Sequence, residues 1–100
     1  MINFHNKCYQ LLSQIPEGRV STYKEIARAL NSKAYRAVGK AMAKNQDLVS
    51  IPCHRVVRSD GMIGKYSLGI HKKSLLLQKE GISIKNGKII DFKKYFYSFK

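Results

Sequence analysis

The stretch STYKEIARALNSKAYRAVGKAMAKN, residues 21–45, decides the fold. Thr22 and Glu25 have the spacing of a capping box, in which a hydroxyl and a carboxylate satisfy free N–H groups at a helix start. A helix is therefore expected over YKEIARAL, broken after Leu30 by Asn31-Ser32-Lys33. Ser32 can cap the next helix, which runs from Lys33 to about Lys44. Two short helices joined by a tight turn form a helix-turn-helix. On the second helix, Ala34, Val38, Ala41 and Met42 make an apolar stripe, while Lys33, Arg36, Lys40 and Lys44 align on an outward face. Cations of one sign on one helix face favour contact with phosphates over a merely solvated surface.

Upstream, Phe4, Cys8, Leu11, Leu12 and Ile15 recur at helical spacing and predict a first helix ending before Pro16, with Cys8 in the core. Downstream, LVSIP and CHRVV read as brief extended segments around Pro52, RSDG as a turn and MIGKYSLG as a loop. HKKSLLLQKEG predicts the last helix, with Leu75 and Leu76 inward and Gly81 as its stop. Asn86-Gly87 within SIKNGKII signals a hairpin. The tail FKKYFYSFK alternates aromatics with lysines and suits either core packing or nucleic acid.

The chain has 100 residues, 44% of them hydrophobic and 25% charged, which fits one globular domain with a single core. Its 19 Lys+Arg against 6 Asp+Glu give a net charge of +13. Such a balance predicts a polyanionic partner, nucleic acid ahead of an anionic membrane surface. No apolar run approaches the roughly 20 residues of a membrane span, and the first residues lack a secretory signal pattern. A soluble intracellular protein with free thiols at Cys8 and Cys53 is expected. The histidines at 5, 54 and 71 have no zinc spacing, so no metal is expected.

In SIPCHRVVRSDG, residues 50–61, a thiol stands beside an imidazole. Cysteine attacks as its thiolate, so a useful cysteine needs a group that takes its proton. Neighbours in an extended segment point to opposite faces, so Cys53 and His54 need a bend or a bridging water to cooperate, and Pro52 is placed to shape that bend. Ser59 stands where a phosphatase loop would carry arginine, and nothing suggests a protease oxyanion hole. The residues by themselves leave a nucleophilic and a structural Cys53 both open.

IPCHRVV, with RAVGKAMAKN before it and GMIGKYSLG and LLLQKEG after it, resembles the DNA-binding and active-site domain of the O6-alkylguanine-DNA alkyltransferases, the methylated-DNA–protein-cysteine methyltransferases. The resemblance runs from about Phe4 to Gly81. It implies a mainly α fold with short β segments, a three-helix, winged-helix-like helix-turn-helix forming a single domain over 1–100 without the family's common N-terminal domain. It further implies a monomer without cofactor that acts once on duplex DNA carrying O6-alkylguanine. The compartment would be the cytoplasm, at the nucleoid, in a prokaryote and the nucleus in a eukaryote.

By that resemblance Cys53 is the alkyl acceptor, His54 its base through a water, and Glu80 the carboxylate that orients the histidine. Asn45 ties the recognition helix to the active segment, and Tyr23 meets the flipped base at N3. Tyr66 and Ser67 close over the base, and the carbonyls of Cys53 and Val56 read its exocyclic amine. Arg36 fills the gap left by the extruded nucleotide, with DNA contacts at Thr22, Lys33, Ala34, Tyr35 and Lys40. An atom inside the duplex is reached only by base flipping, here from the minor groove. The family's short alkyltransferase-like members, which lack the acceptor cysteine, bind lesions without repairing them and supply the alternative reading. Tyr35, where a small residue is common, and Leu68 after Ser67 depart from the family pattern.

Overall fold

The structure, a computed structural model, describes residues 4–33, 35–45, 51–66 and 68–99. Ala34, Ser67 and residues 48–50 of the expected extended segment lie outside them. In chain order the elements are α1 (Phe4–Leu12), β1 (Ser21–Thr22), α2 (Tyr23–Ala29), α3 (Tyr35–Lys44), a 3-10 turn (Cys53–Arg55) and β2 (Val56–Val57). Then come α4 (Ile70–Lys79), β3 (Ile84–Lys85), β4 (Lys88–Ile89) and α5 (Phe92–Tyr95). The expected fold class, mainly helical with short strands around a helix-turn-helix, is the one observed.

Thr22 caps α2 as its spacing predicts, accepting the Glu25 N–H at 2.9 Å. Glu25 does not complete the box. Its carboxylate instead accepts from Arg28, from the Ser98 hydroxyl at 3.0 Å and from the Phe99 N–H at 2.9 Å. At the other end Asn31 turns left-handed (φ 59°), and Ser32 N–H returns to the Ala27 carbonyl at 2.9 Å. These bonds close a Schellman motif, with Asn31 in the place that glycine usually takes. α3 runs from Tyr35, later than the expected Lys33. α1 likewise ends at Leu12, where the bonds tighten, and Ile15 enters the core from the turn beyond it.

β1 and β2 pair in parallel, Ser21 opposite Val56 and Thr22 opposite Val57. Alternation along β2 sends Val56 into a core with Cys8, Leu12, Ile26 and Val38, and Val57 into a second core with Val20, Ile63 and Leu77. The same pairing sets the start of α2, and hence Tyr23, beside the segment that carries Cys53.

CHRVV is not extended throughout. Pro52 (φ −80°) leads into the 3-10 turn, which is held by Arg55 N–H to the Pro52 carbonyl at 3.0 Å, and only Val56–Val57 form strand. α4 also differs in phase from its expected reading. Lys73 and Leu77 face inward with no exposure, whereas Leu75 is 50% exposed and Leu76 half-buried. Lys73 tolerates that position because its ammonium donates to the Val56 carbonyl at 2.6 Å and the Lys65 carbonyl at 3.0 Å. Gly81 (φ 94°) does stop the helix, and Ile82 N–H returns to the Leu77 carbonyl. It is not the last helix, since α5 follows the hairpin.

The hairpin pairs Ile84 with Ile89 and Lys85 with Lys88 across Asn86-Gly87. The tail, for which the sequence left two options, packs on the core. Phe96 bridges Val20, Tyr97 stacks edge-on against Phe99, and Phe99 is 4% exposed.

Candidate active site

The 3-10 turn buries Cys53 and His54 side by side in sequence and sends them to different partners. Asn45, one residue past α3, donates from Nδ2 to Cys53 Sγ at 2.7 Å and to the Ile51 carbonyl at 3.2 Å. It thereby joins the end of the recognition helix to the cysteine segment. Burial pushes the Cys53 thiol above its ordinary pKa, while the Asn45 hydrogen bond and the Lys73 charge pull the other way. A thiol held up in this way stays protonated until a base takes its proton.

His54 Nε2 lies 2.8 Å from Glu80 Oε2, at the C-terminal end of α4. A carboxylate there favours the tautomer protonated at Nε2 and leaves Nδ1 as an acceptor. His54 Nδ1 is buried and makes no hydrogen bond to a protein group. Arg55 grips the same carboxylate, with Nη2 at 2.8 Å and Nε at 3.0 Å, and its Nη1 donates to the Ile15 carbonyl at 2.8 Å. Burial works to raise the Glu80 pKa, but the hydrogen bonds from Arg55 and His54 outweigh it and hold the group below its ordinary value. The Glu80 carboxylate is thus held ionised and fixed from two sides.

In front of Cys53 opens a cavity of about 1020 Å³. Tyr23, Tyr35, Met42, Met62, Tyr66 and Ile70 give it apolar walls, and Lys24, Arg58 and Lys65 are its charged residues. Among the described residues no acidic side chain lines it. Tyr23 stands where Lys73 and Gly64 meet. The Lys73 ammonium is 5.9 Å from the Tyr23 ring centre, and a Cβ on Gly64 would lie 3.5 Å from the Tyr23 hydroxyl and 3.8 Å from Lys73 Nζ. Burial raises the Tyr23 pKa, with a further push from Cys53. Burial lowers that of Lys73 to about 7, against the pull of Cys53.

Of the residues expected at the site, Tyr23, Tyr35, Cys53 and Tyr66 line the cavity, Asn45 holds the Cys53 sulfur, and His54 and Glu80 pair with each other. Lys33, Arg36 and Lys40 are exposed outside the lining. Thr22, expected as a DNA contact, is 4% exposed with its hydroxyl committed to the cap. Val56 is fully buried, and its carbonyl already accepts Lys73, so a base amine would share that oxygen. The Cys53 carbonyl similarly accepts the Val56 N–H. Ala34 and Ser67 lie outside the described residues. Sequence reasoning assigned no role to Lys73 or Arg55. The signal for Lys73 was its spacing of four from Leu77, a cation on the buried stripe of α4.

Among the described residues no cluster of three or more His, Cys, Asp or Glu is placed to hold a metal ion. Among these residues no helix is long and apolar enough to cross a membrane.

Known proteins similar to this chain share its fold and sequence pattern. The bifunctional methyltransferase/endonuclease of Picrophilus torridus is 47% identical over 98 residues, which is 97% of this chain and 33% of that protein. The methylated-DNA–protein-cysteine methyltransferase of Sulfolobus acidocaldarius is 44% identical over 82 residues, 82% of this chain and 52% of its own length. The chain therefore spans between a third and about half of these relatives. Among solved structures, S. pombe Atl1 in complex with damaged DNA containing O6-carboxymethylguanine superimposes with a TM-score of 0.86 at 34% identity, covering 98% of this chain and 99% of that one. The O6-methylguanine-DNA methyltransferase of Pyrococcus kodakaraensis KOD1 gives 0.74 at 46% identity, over 82% and 48%. The family model for the 6-O-methylguanine DNA methyltransferase, DNA binding domain, matches residues 3–82, and the chain belongs to that family.

Proposed function

We propose that this chain is a single-turnover DNA alkyltransferase, moving the alkyl group from O6 of guanine in duplex DNA to Cys53. The observation that carries the proposal is a buried thiol that lines a cavity of about 1020 Å³ and is followed directly in sequence by a histidine paired with Glu80. α3 would enter the minor groove, with Arg36 filling the stack as the damaged nucleotide turns out into the cavity. His54, held at Nε2 by Glu80, takes the thiol proton at Nδ1 through a bridging water. The thiolate attacks the alkyl carbon. The S–C bond forms as the C–O6 bond breaks, and its electron pair passes to the guanine ring. Tyr23 donates a proton toward N3, so that guanine leaves neutral. The thioether product is stable, so each chain acts once and needs no cofactor.

The transfer assay uses duplex DNA labelled on the O6-methyl. The proposal requires label on the protein saturating at one methyl per chain, and none on Cys53→Ser. A second reading, lesion binding without transfer, is favoured by the match to Atl1 over almost the whole of both chains. Tight binding of methylated duplex without transfer of label would establish that reading instead. The Picrophilus relative's name joins a methyltransferase to an endonuclease, and this chain would correspond to the methyltransferase part.

A further inference from the structure

The β3–β4 hairpin lies beyond residue 82, where the family match ends, and the reaction above makes no use of it. Asn86 and Gly87 both take positive φ, 54° and 75°, as a two-residue hairpin turn demands. The resulting register sets Lys85 directly opposite Lys88, so both side chains leave the same face of the ribbon. Like charges directly opposed destabilise a strand pair. Both lysines are exposed, and no ion pair joins either to an acidic group among the described residues.

The ribbon is anchored beside the cavity. Ile63 N–H donates to the Gly87 carbonyl at 3.0 Å, Ile89 N–H donates to the Gly61 carbonyl at 2.9 Å, and Met62 bridges Lys88. A Cβ built on Gly61 (φ +90°) would stand 3.5 Å from Lys88 Cε, so the lysine's carbon chain passes over that glycine. Met62 lines both the Cys53 cavity and the shallow recess bounded by Lys85 and Lys88. The two cations are therefore fixed next to the rim that also carries Arg58 and Lys65. Arg58 is paired with Asp60 at 2.9 Å, whereas Lys85 and Lys88 are free to meet an anion.

We propose that Lys85 and Lys88 form a second phosphate-binding element, a basic wing that grips the DNA backbone beside the flipped nucleotide and is separate from the α3 stripe. The inference rests on the reading of the chain as DNA-binding. It explains why an opposed lysine pair is held on a rigid ribbon at this place, because phosphates offset the repulsion only when DNA is bound. Each lysine–phosphate contact adds about 0.9 to the salt slope of binding, so the pair contributes about 1.8.

The test is the salt dependence of binding to an undamaged duplex, followed by fluorescence anisotropy for the whole chain. Lys85→Gln/Lys88→Gln should lower the slope by about 1.8, so that the wild type loses about tenfold more affinity than the variant between 50 and 200 mM salt. Lys85→Arg/Lys88→Arg should keep the wild-type slope. Lys7→Gln/Lys79→Gln, which removes the same charge from exposed positions on α1 and α4, should leave the slope unchanged. An unchanged slope in the Lys85/Lys88 variant, or an equal fall in the control pair, overturns the wing. Wild-type protein that fails to bind duplex overturns the DNA-binding reading itself. Because the measurement involves no methyl transfer, failure of the chemistry leaves it intact.

Discussion

Glu80 Oε2 stands 2.8 Å from His54 Nε2 and, at the same distance, from Arg55 Nη2. One carboxylate at the end of α4 thus fixes both the histidine and the arginine that follow Cys53. Because Arg55 also reaches the Ile15 carbonyl, the arrangement ties the site to the turn after α1. Positioning of this kind matters most for a base whose free nitrogen must face the thiol.

Glu80→Gln should therefore slow methyl transfer by about 100-fold, the lower end of what a positioned base supplies. An amide at that place can donate to Nε2 and select the other tautomer. DNA affinity should stay at the wild-type level. Quench-flow transfer rates alongside anisotropy separate the two effects, and a normal rate would remove Glu80 from the mechanism.

The depressed Glu80 pKa also has a stability consequence. A carboxyl whose folded pKa lies below its unfolded value stabilises the protein above the unfolded value, and that stability is lost as pH falls through the folded one. Urea denaturation below pH 4.5, the ordinary value, should show wild type losing stability more steeply than Glu80→Gln.

Lys73 moves stability with pH in the same direction, in a higher window. Its folded pKa of about 7 lies below the ordinary 10.5, so between those values the unfolded chain binds the extra proton. Stability from this group rises with pH across that window. The difference in unfolding free energy between wild type and Lys73→Met should therefore change in favour of wild type from pH 7 toward pH 10. A pH-independent difference would mean that the lysine is charged in the fold.

Arg36→Ala should slow repair in duplex DNA while leaving the far-ultraviolet circular dichroism and the reaction with a free O6-alkylguanine base unchanged. The side chain is exposed on the second residue of α3, so its loss costs no core contact. An unchanged rate in duplex would sink its assignment to the stack.

Phe99→Ala should destabilise the fold by about 3 kcal/mol, as removal of a buried aromatic does. Phe99 packs in the core with Cys8, Leu12 and Ile26, and its N–H is held by Glu25. Denaturant titration measures the loss, and a change under about 1 kcal/mol would show that the tail is not clamped.

What the sequence made legible was local. The Thr22 cap, the break after Leu30, the Gly81 stop and the Asn86-Gly87 turn each depend on a few adjacent residues with defined backbone chemistry. What it hid depends on partners far along the chain. Lys73 is inward because Val56 and Lys65 offer carbonyls, and Glu25 abandons its capping box because the tail brings Ser98 and Phe99 to it. The 3-10 turn at Cys53–Arg55 was masked by the β-branched residues after it. At the site, adjacency of Cys53 and His54 left the nucleophile open, and family resemblance pointed to Glu80, 26 residues from the histidine.

The central claim is that Cys53 accepts the alkyl group, and the mass of the intact protein after incubation with an O6-methylguanine duplex tests it most directly. The account predicts that a methyl replaces one thiol hydrogen, that peptide fragmentation places it on Cys53, and that Cys53→Ala gains nothing. Unmodified protein recovered from a duplex it demonstrably binds, or a methyl placed on Cys8, would contradict it.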